Sequence, residues 1–157
     1  MKNQKDKIEI IAANRKARHL YQIFDRFEAG ISLEGPEVKS LRLKQANISH
    51  AFARVENDRI FLYAMHIAPY KFNTIKPLDP LRTRELLLNK KEIKKISSHT
   101  ASKGMTVIPL ELYFKNGWAK ICIALCKGKK TADKSGDIKE REIDREMQRK
   151  FREKYKG

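Results

Sequence analysis

Only two cysteines occur in the 157 residues, Cys122 and Cys126. They stand four apart on a strand-like run, so they share a face, but their Cα atoms are then about 13 Å apart. That is far beyond disulfide reach. Two thiols without clustered histidines do not make a zinc site either. Both are predicted to be reduced packing residues in a cytoplasmic protein. Long apolar runs are also missing, and none approaches the ~18 residues that a membrane-spanning helix needs. The opening Met1-Lys-Asn-Gln-Lys-Asp-Lys7 carries charge with no apolar segment behind it, so no secretory signal is expected. The four histidines, His19, His50, His66 and His99, are scattered, without metal-ligand spacing or an obvious nucleophile beside them. Neither a P-loop nor a dinucleotide-binding glycine pattern is present. No carboxylate pair stands out as an acid–base couple. With no reacting constellation and no cofactor or metal implied, the chain reads as a binder and not an enzyme.

Acidic residues are in short supply: 19 Asp and Glu face 35 Lys and Arg, for a formal net charge of +16. Self-repulsion of that size works against a compact state, so a polyanionic partner is the usual reason to keep it. Nucleic acid leads, because neutralising phosphates releases condensed counterions. An anionic membrane surface and a merely soluble basic protein remain as alternatives. The length suits one compact domain with an appendage and is too short for two ordinary domains.

Along the chain, Leu20 to Glu34 alternates Phe27, Ala29, Ile31 and Leu33 with Glu28, Gly30, Ser32 and Glu34, a strand pattern in which Gly30 marks a candidate bulge or sharp bend. Gly35-Pro36-Glu37 opens a helix to about Lys44, with Pro36 at its first position and Glu37 near the positive end of the dipole. Val38 and Leu41 point inward; Lys39, Arg42 and Lys44 are left for solvent or a partner. Strands at Ser49–Val55 and Ile60–Ala64 follow, joined by a turn at Glu56-Asn-Asp-Arg59. The segment from His66 to Arg84 contains Pro69, Pro77 and Pro80 and no sustained period; so long a connection is usually functional or mobile.

A second helix begins after Asn89, a good N-cap, with Glu92 three residues on and Leu88 and Ile93 placed for a hydrophobic staple. It is expected to run to about Ser98–Ser102 and stop at Gly104. A hairpin then follows. Thr106, Ile108, Leu110, Leu112 and Phe114 are predicted to face one way, and Ala119, Ile121, Ile123 and Leu125 continue that face around Asn116-Gly117, the dipeptide that suits a type I′ turn. Everything to Leu125 therefore reads as mainly β, with short antiparallel strands and small helices. Closing such a sheet into a small barrel would remove its edges, but periodicity does not separate a barrel from an open sheet.

From Lys127 apolar residues thin out. Ile143, Met147, Phe151 and Tyr155 recur every fourth residue and would form one narrow helical stripe, too thin to bury a core. The expectation is a tail that is disordered when free and helical when bound, jointed at Gly128 and Gly136; a helix docked on the domain is the alternative.

Basic and aromatic residues mingle in Asn14-Arg-Lys-Ala-Arg-His-Leu-Tyr21, where Arg and Lys can neutralise phosphates and Asn, His and Tyr can bond or stack on splayed bases. Around it, Ile11-Ala-Ala-Asn-Arg-Lys-Ala-Arg-His19, Phe27-Glu-Ala-Gly-Ile-Ser-Leu33, Gly35-Pro-Glu-Val-Lys-Ser-Leu-Arg42, Ala46-Asn-Ile-Ser49, Asp79-Pro-Leu-Arg-Thr-Arg84, Leu86-Leu-Leu-Asn89, Leu112-Tyr-Phe-Lys-Asn-Gly117 and Lys127-Gly-Lys-Lys130 resemble, in order, the small protein B (SsrA-binding protein) family. The matches cover nearly the whole chain and are highly specific together.

The resemblance implies an OB-type closed antiparallel barrel with small flanking helices over residues 1–126 and a basic tail over 127–157. It implies binding to the tRNA-like domain of transfer-messenger RNA and delivery of that RNA to stalled ribosomes for trans-translation, with the tail in the empty mRNA channel beside small-subunit ribosomal RNA. A monomer when free and no membrane partner are expected.

Carried over, the RNA-contacting face corresponds to Asn14, Arg15, Lys16, Arg18, His19, Glu28, Leu87, Asn89 and Lys120. Glu28 can accept from base amino groups or 2′-hydroxyls, orient an arginine, or form a sheet-face ion pair. Leu87 fits a base or sugar contact as well as a place in the core. Lys120 projects opposite Ile121 and Ile123, toward solvent or RNA. In the tail, Lys127, Gly128, Lys129, Lys130, Asp133 and Lys134 match the segment that the family places at the decoding centre. Ala132 and Ser135 depart from the family's usual His or aromatic before Asp-Lys and Arg after it, so a stacking contact with ribosomal RNA is missing or supplied elsewhere. Two rivals remain: a basic ribosomal structural protein and an RNA-processing enzyme.

Overall fold

A computed structural model of the chain describes residues 6–72 and 77–129. Within them the protein is mainly β, with nine strands and three short helices among the described residues. In chain order these are β1 (Ile8–Ala13), α1 (Ala17–Leu20), β2 (Tyr21–Ile31), α2 (Gly35–Arg42), β3 (Ala46–Asn47), β4 (Phe52–Glu56), β5 (Arg59–Tyr63), β6 (His66–Ile67), β7 (Arg84–Leu87), α3 (Lys90–Lys103), β8 (Thr106–Lys115) and β9 (Trp118–Gly128). No helix among the described residues is long and apolar enough to cross a membrane. The expected tail helix lies outside the described residues.

Seven strands form one antiparallel sheet in the order β1-β8-β4-β5-β7-β2-β9, with β8 also paired to β9. β3 and β6 make a separate two-stranded ribbon. Two hairpins rest on left-handed turns: Asn116 and Gly117 (φ 52° and 83°) join β8 to β9, and Asn57 and Asp58 (φ 49° and 62°) join β4 to β5. Positive φ at both central residues is what a type I′ turn requires, and it matches the twist of the strands it connects.

The main core gathers Leu41, Ile48, Ile60, Leu62, Leu112, Ile121, Ile123 and Leu125, each essentially removed from solvent. Each such side chain contributes roughly 1.5–3 kcal/mol on transfer from water. A smaller cluster of Ala17, Ile108, Leu110, Ala124 and Cys126 lies on the other face of the β8–β9 ribbon, under α1. This division corrects the expected alternation of β8. Its register slips between Pro109 and Glu111, so Ile108 and Leu110 turn to the second cluster while Leu112 and Phe114 face the main core. A bulge adds one residue, and one residue reverses every side chain beyond it. Returning strand β9 keeps the expected order, with Ile121, Ile123 and Leu125 in the main core. Both cysteines are free thiols on the opposite face, and burial pushes the Cys126 thiol up to about 11.

Gly30 is not a bulge. It sits in regular register opposite both Leu87 and Lys120, and the slip in β2 falls instead between Ile23 and Asp25. What Gly30 accommodates is a close approach, because a Cβ there would lie 3.3 Å from the Cβ of Leu87.

The helices follow their caps. α2 begins one residue earlier than expected, with Glu34 as N-cap and Pro36 second in the helix, and the Glu34 N–H donates to Glu37 Oε1 at 2.9 Å. It stops at Arg42, short of Lys44, which adopts a left-handed φ of 58°. α3 is capped as expected: Asn89 Oδ1 accepts the Glu92 N–H at 2.9 Å, Leu88 and Ile93 pack on the core, and Gly104 (φ 62°) ends it. The long connection after β5 is tied down at both ends. Ile67 N–H donates to the Pro80 carbonyl, Ala68 N–H to that of Gln45, and the Ser40 hydroxyl to that of Ala68.

Candidate nucleic-acid interface

The side of the β1-β8-β9-β2-β7 surface turned away from the main core is built in cross-strand rows. Directly opposite residues share a face. One row runs Ile10, Tyr113, Lys120, Gly30, Leu87. A neighbouring row runs Ala13, Glu111, Cys122, Glu28, and the next one out runs Ile8, Lys115, Trp118. Gly30 contributes no side chain, so Leu87 and Lys120 flank a bare stretch of backbone. Three predicted residues, Glu28, Leu87 and Lys120, are thereby brought onto one patch. Leu87 is 56% exposed, which removes the core alternative for it. Lys120 is half-buried on this face, opposite in direction to Ile121 and Ile123.

Glu28 is the electrostatic centre of the patch. The Tyr113 hydroxyl donates to its Oε2, and Lys115 Nζ lies 3.2 Å from its Oε1. Tyr113 above all, then the Lys115 bond and the charges of Lys115 and Lys120, holds the Glu28 carboxyl below the usual range, against a smaller opposing effect of burial. Burial and the neighbouring carboxylate push the Tyr113 phenol up. At neutral pH the centre is therefore a carboxylate bonded to a neutral phenol and to the Lys115 ammonium. The ion-pair role considered for Glu28 is present. The carboxylate is 40% exposed, so water screens the pair and its main effect is to orient Tyr113 and Lys115.

The Asn14–His19 segment borders the same face. Ala17 is buried in the second cluster, against which Cys122 also packs, and this seats α1 beside the Glu28 row. Asn14 does structural duty: its N–H donates to the Leu110 carbonyl at 2.8 Å and its Nδ2 to that of Pro109 at 3.2 Å, pinning β1 at the β8 bulge. Arg15, Lys16 and Arg18 are exposed and His19 is half-buried. Asn89 is exposed, two residues beyond Leu87, with its side-chain oxygen engaged in capping α3.

Of the tail residues, the described Lys127, Gly128 and Lys129 lie at the end of β9 away from this patch. Gly128 is the last residue of β9, paired with Tyr21, and Lys129 N–H donates to the Leu20 carbonyl at 3.0 Å. Lys127 is exposed at the same end of the strand. Eight residues of extended chain put that end roughly 26 Å from Lys120. Lys130, Asp133 and Lys134, with Ala132 and Ser135, lie outside the described residues.

Sequence reading missed Tyr113 and Lys115, although their alternation with Leu112 and Phe114 placed them on the outer face. It also missed the buried Glu37–Arg84 pair, which no local pattern signals.

The SmpB protein family model matches residues 11–153. The chain belongs to the SmpB family. Similar proteins include the SsrA-binding protein of Elusimicrobium minutum, 53% identical over 154 residues and covering 98% of each chain. That of Caldanaerobacter subterraneus subsp. tengcongensis is 48% identical over 157 residues, covering 100% of this chain and 99% of the relative. Among solved structures, an SmpB-family match is a chain described as "tmRNA-SmpB: a journey to the center of the bacterial ribosome", with a TM-score of 0.63 and 43% identity over 75% of this chain and 83% of that one. SmpB membership thus spans β1 to β9 and continues past the described residues.

Proposed function

We propose that this chain binds the tRNA-like domain of transfer-messenger RNA, SsrA, and delivers it to stalled ribosomes for trans-translation, as an RNA-binding protein and not an enzyme. The observation that carries the reading is the meeting of Glu28, Leu87 and Lys120 around Gly30 on one exposed face, in a chain of the SmpB family. Relatives named for SsrA binding and a solved neighbour named for tmRNA on the ribosome support it. So does a net charge of +16.

On this reading Lys120, Lys16, Arg15 and Arg18 neutralise phosphates. Leu87 packs on a sugar or base, while Glu28, His19 and the amide groups of Asn14 and Asn89 read base edges or 2′-hydroxyls. The sheet is read as an OB-type closed barrel. The run of pairings β4–β5–β7–β2–β9–β8 leads back to β4 through Ala53 and Val107, which supports closure. Residues 1–126 form the RNA-gripping domain. Residues 127–157 form a basic tail that takes up helical structure in the empty mRNA channel, with Lys127, Gly128, Lys129, Lys130, Asp133 and Lys134 at the decoding centre. Exit of the chain from the far end of β9 lets the two parts engage different surfaces at once. The protein works in the cytoplasm.

Sequencing the RNA that co-purifies with the full chain from its native cell tests the proposal. Transfer-messenger RNA should dominate over background. Recovery of ribosomal RNA alone, from stalled and translating ribosomes alike, would favour a structural ribosomal protein instead.

A further inference from the structure

We infer that Trp118 is a stacking platform for an unpaired base of the bound RNA and so extends the interface beyond Glu28, Leu87, Lys120 and the Asn14–His19 segment. The inference rests on the proposed RNA-binding role and deepens it. Trp118 opens β9 and is 73% exposed. The turn before it is made by Asn116 and Gly117, so the indole is not needed to close the hairpin. An aromatic ring left in water without a folding role is a candidate contact surface.

Its surroundings name the partner. Trp118 is directly opposite Lys115, with Ile8 on the far side of that lysine and 56% exposed. Lys120 lies two residues along the same strand, so it shares the face at a Cα distance of about 7 Å. Lys115 is itself held by Glu28 and Asp6, at 3.2 Å and 3.7 Å. The indole therefore borders two lysines, one of them already oriented. Lysine is depleted in the cores of protein–protein interfaces, whereas cations beside an exposed ring suit a polynucleotide: the ammonium groups meet phosphates and the indole face meets a base. The face is continuous with the Glu28–Lys120–Leu87 patch, so one RNA can cover both.

Trp118 is the only tryptophan in the chain, so intrinsic tryptophan fluorescence reports on this residue alone. The full chain is titrated with a transcribed tRNA-like domain of transfer-messenger RNA, and indole emission and electrophoretic mobility shift are followed together. Emission should change and saturate at the same RNA concentration as the shift. Trp118→Ala should weaken binding about tenfold and leave the dependence of log affinity on log salt unchanged, because stacking neutralises no phosphate. Trp118→Phe should recover most of the affinity. A mobility shift without any change in emission, or Trp118→Ala binding as tightly as the parent, overturns the inference and leaves the RNA-binding role standing. A salt slope lowered by one phosphate in Trp118→Ala also overturns it. Absence of any shift takes down both readings together.

Discussion

Arg84 and Glu37 meet with both side chains out of solvent, 0% and 4% exposed, through Nε to Oε2 at 2.7 Å and Nη2 to Oε2 at 2.6 Å. Nη1 donates to the Met65 carbonyl at 2.7 Å, and Nη2 also reaches that of Pro80 at 3.2 Å. Arg82 closes the other side of the carboxylate, its Nη2 donating to Oε1. Among the described residues no buried side-chain nitrogen or oxygen lacks a partner. One carboxylate thus joins the start of α2 to the strand β7 that carries Leu87.

Glu37→Ala should cost about 3–5 kcal/mol of stability, because it strands a buried guanidinium. Burial alone would raise the Glu37 carboxyl, but the bonds from Arg82, from the Glu34 N–H and from Arg84 outweigh it and hold it below the usual value. Burial pulls the Arg84 guanidinium down, yet arginine starts so far above neutrality that it stays charged. A depressed carboxyl stabilises fully above its unfolded value, about 4.3, and that stability drains as pH falls through the folded value. Urea unfolding from neutral to acid pH should therefore show a loss below about pH 4.3 that is smaller in Glu37→Gln, the remainder belonging to Glu28 and Asp25, whose carboxyls are also held low.

Asn89 caps α3, and the RNA contact proposed for it can be separated from that duty. Aspartate caps a helix as well as asparagine does, but it lacks the amide donors and adds negative charge. Asn89→Asp should keep the melting temperature close to that of the parent and still weaken RNA binding. Asn89→Ala should lose about 1 kcal/mol of stability as well. Thermal melts beside mobility shifts on the same samples separate the two.

Lys120→Glu places a carboxylate next to Glu28. Binding to the tRNA-like domain should fall, and the slope of log affinity against log salt should shrink by about 0.7–0.9, the share of a single neutralised phosphate. Affinity measured over a salt series decides; an unchanged slope would assign Lys120 to the sheet alone.

Truncation after Lys130 should leave binding to the tRNA-like domain nearly intact and abolish peptide tagging on stalled ribosomes. Mobility shift and a tagging reaction with the same protein measure the two halves. Equal loss of both would argue against a division of labour between domain and tail.

Local chemistry was legible wherever short-range forces decide. Asn116-Gly117 specified its hairpin through the positive φ that both residues adopt, Asn89 specified the start of α3 through one side-chain oxygen, and Ile121, Ile123 and Leu125 declared the core face of β9 by alternation. Glu28, Leu87 and Lys120, named from the order of motifs along the chain and not from any single pattern, fall on one face, but Tyr113 and Lys115 beside them were not named. Tertiary structure alone decided the rest. The slip between Pro109 and Glu111 reversed Ile108 and Leu110; Pro109, which lacks the N–H a regular ladder needs, was the local sign of a bulge, but its exact place depended on the pairing with β9. Gly30 proved to be a gap between Leu87 and Lys120, since closeness across strands depends on register, which is set by pairing over distances of tens of residues. Glu37 and Arg84, 47 positions apart, could be recognised as a buried pair only once the fold had closed around them. A charge has no way to announce its burial in the sequence, because burial is a property of everything packed around it.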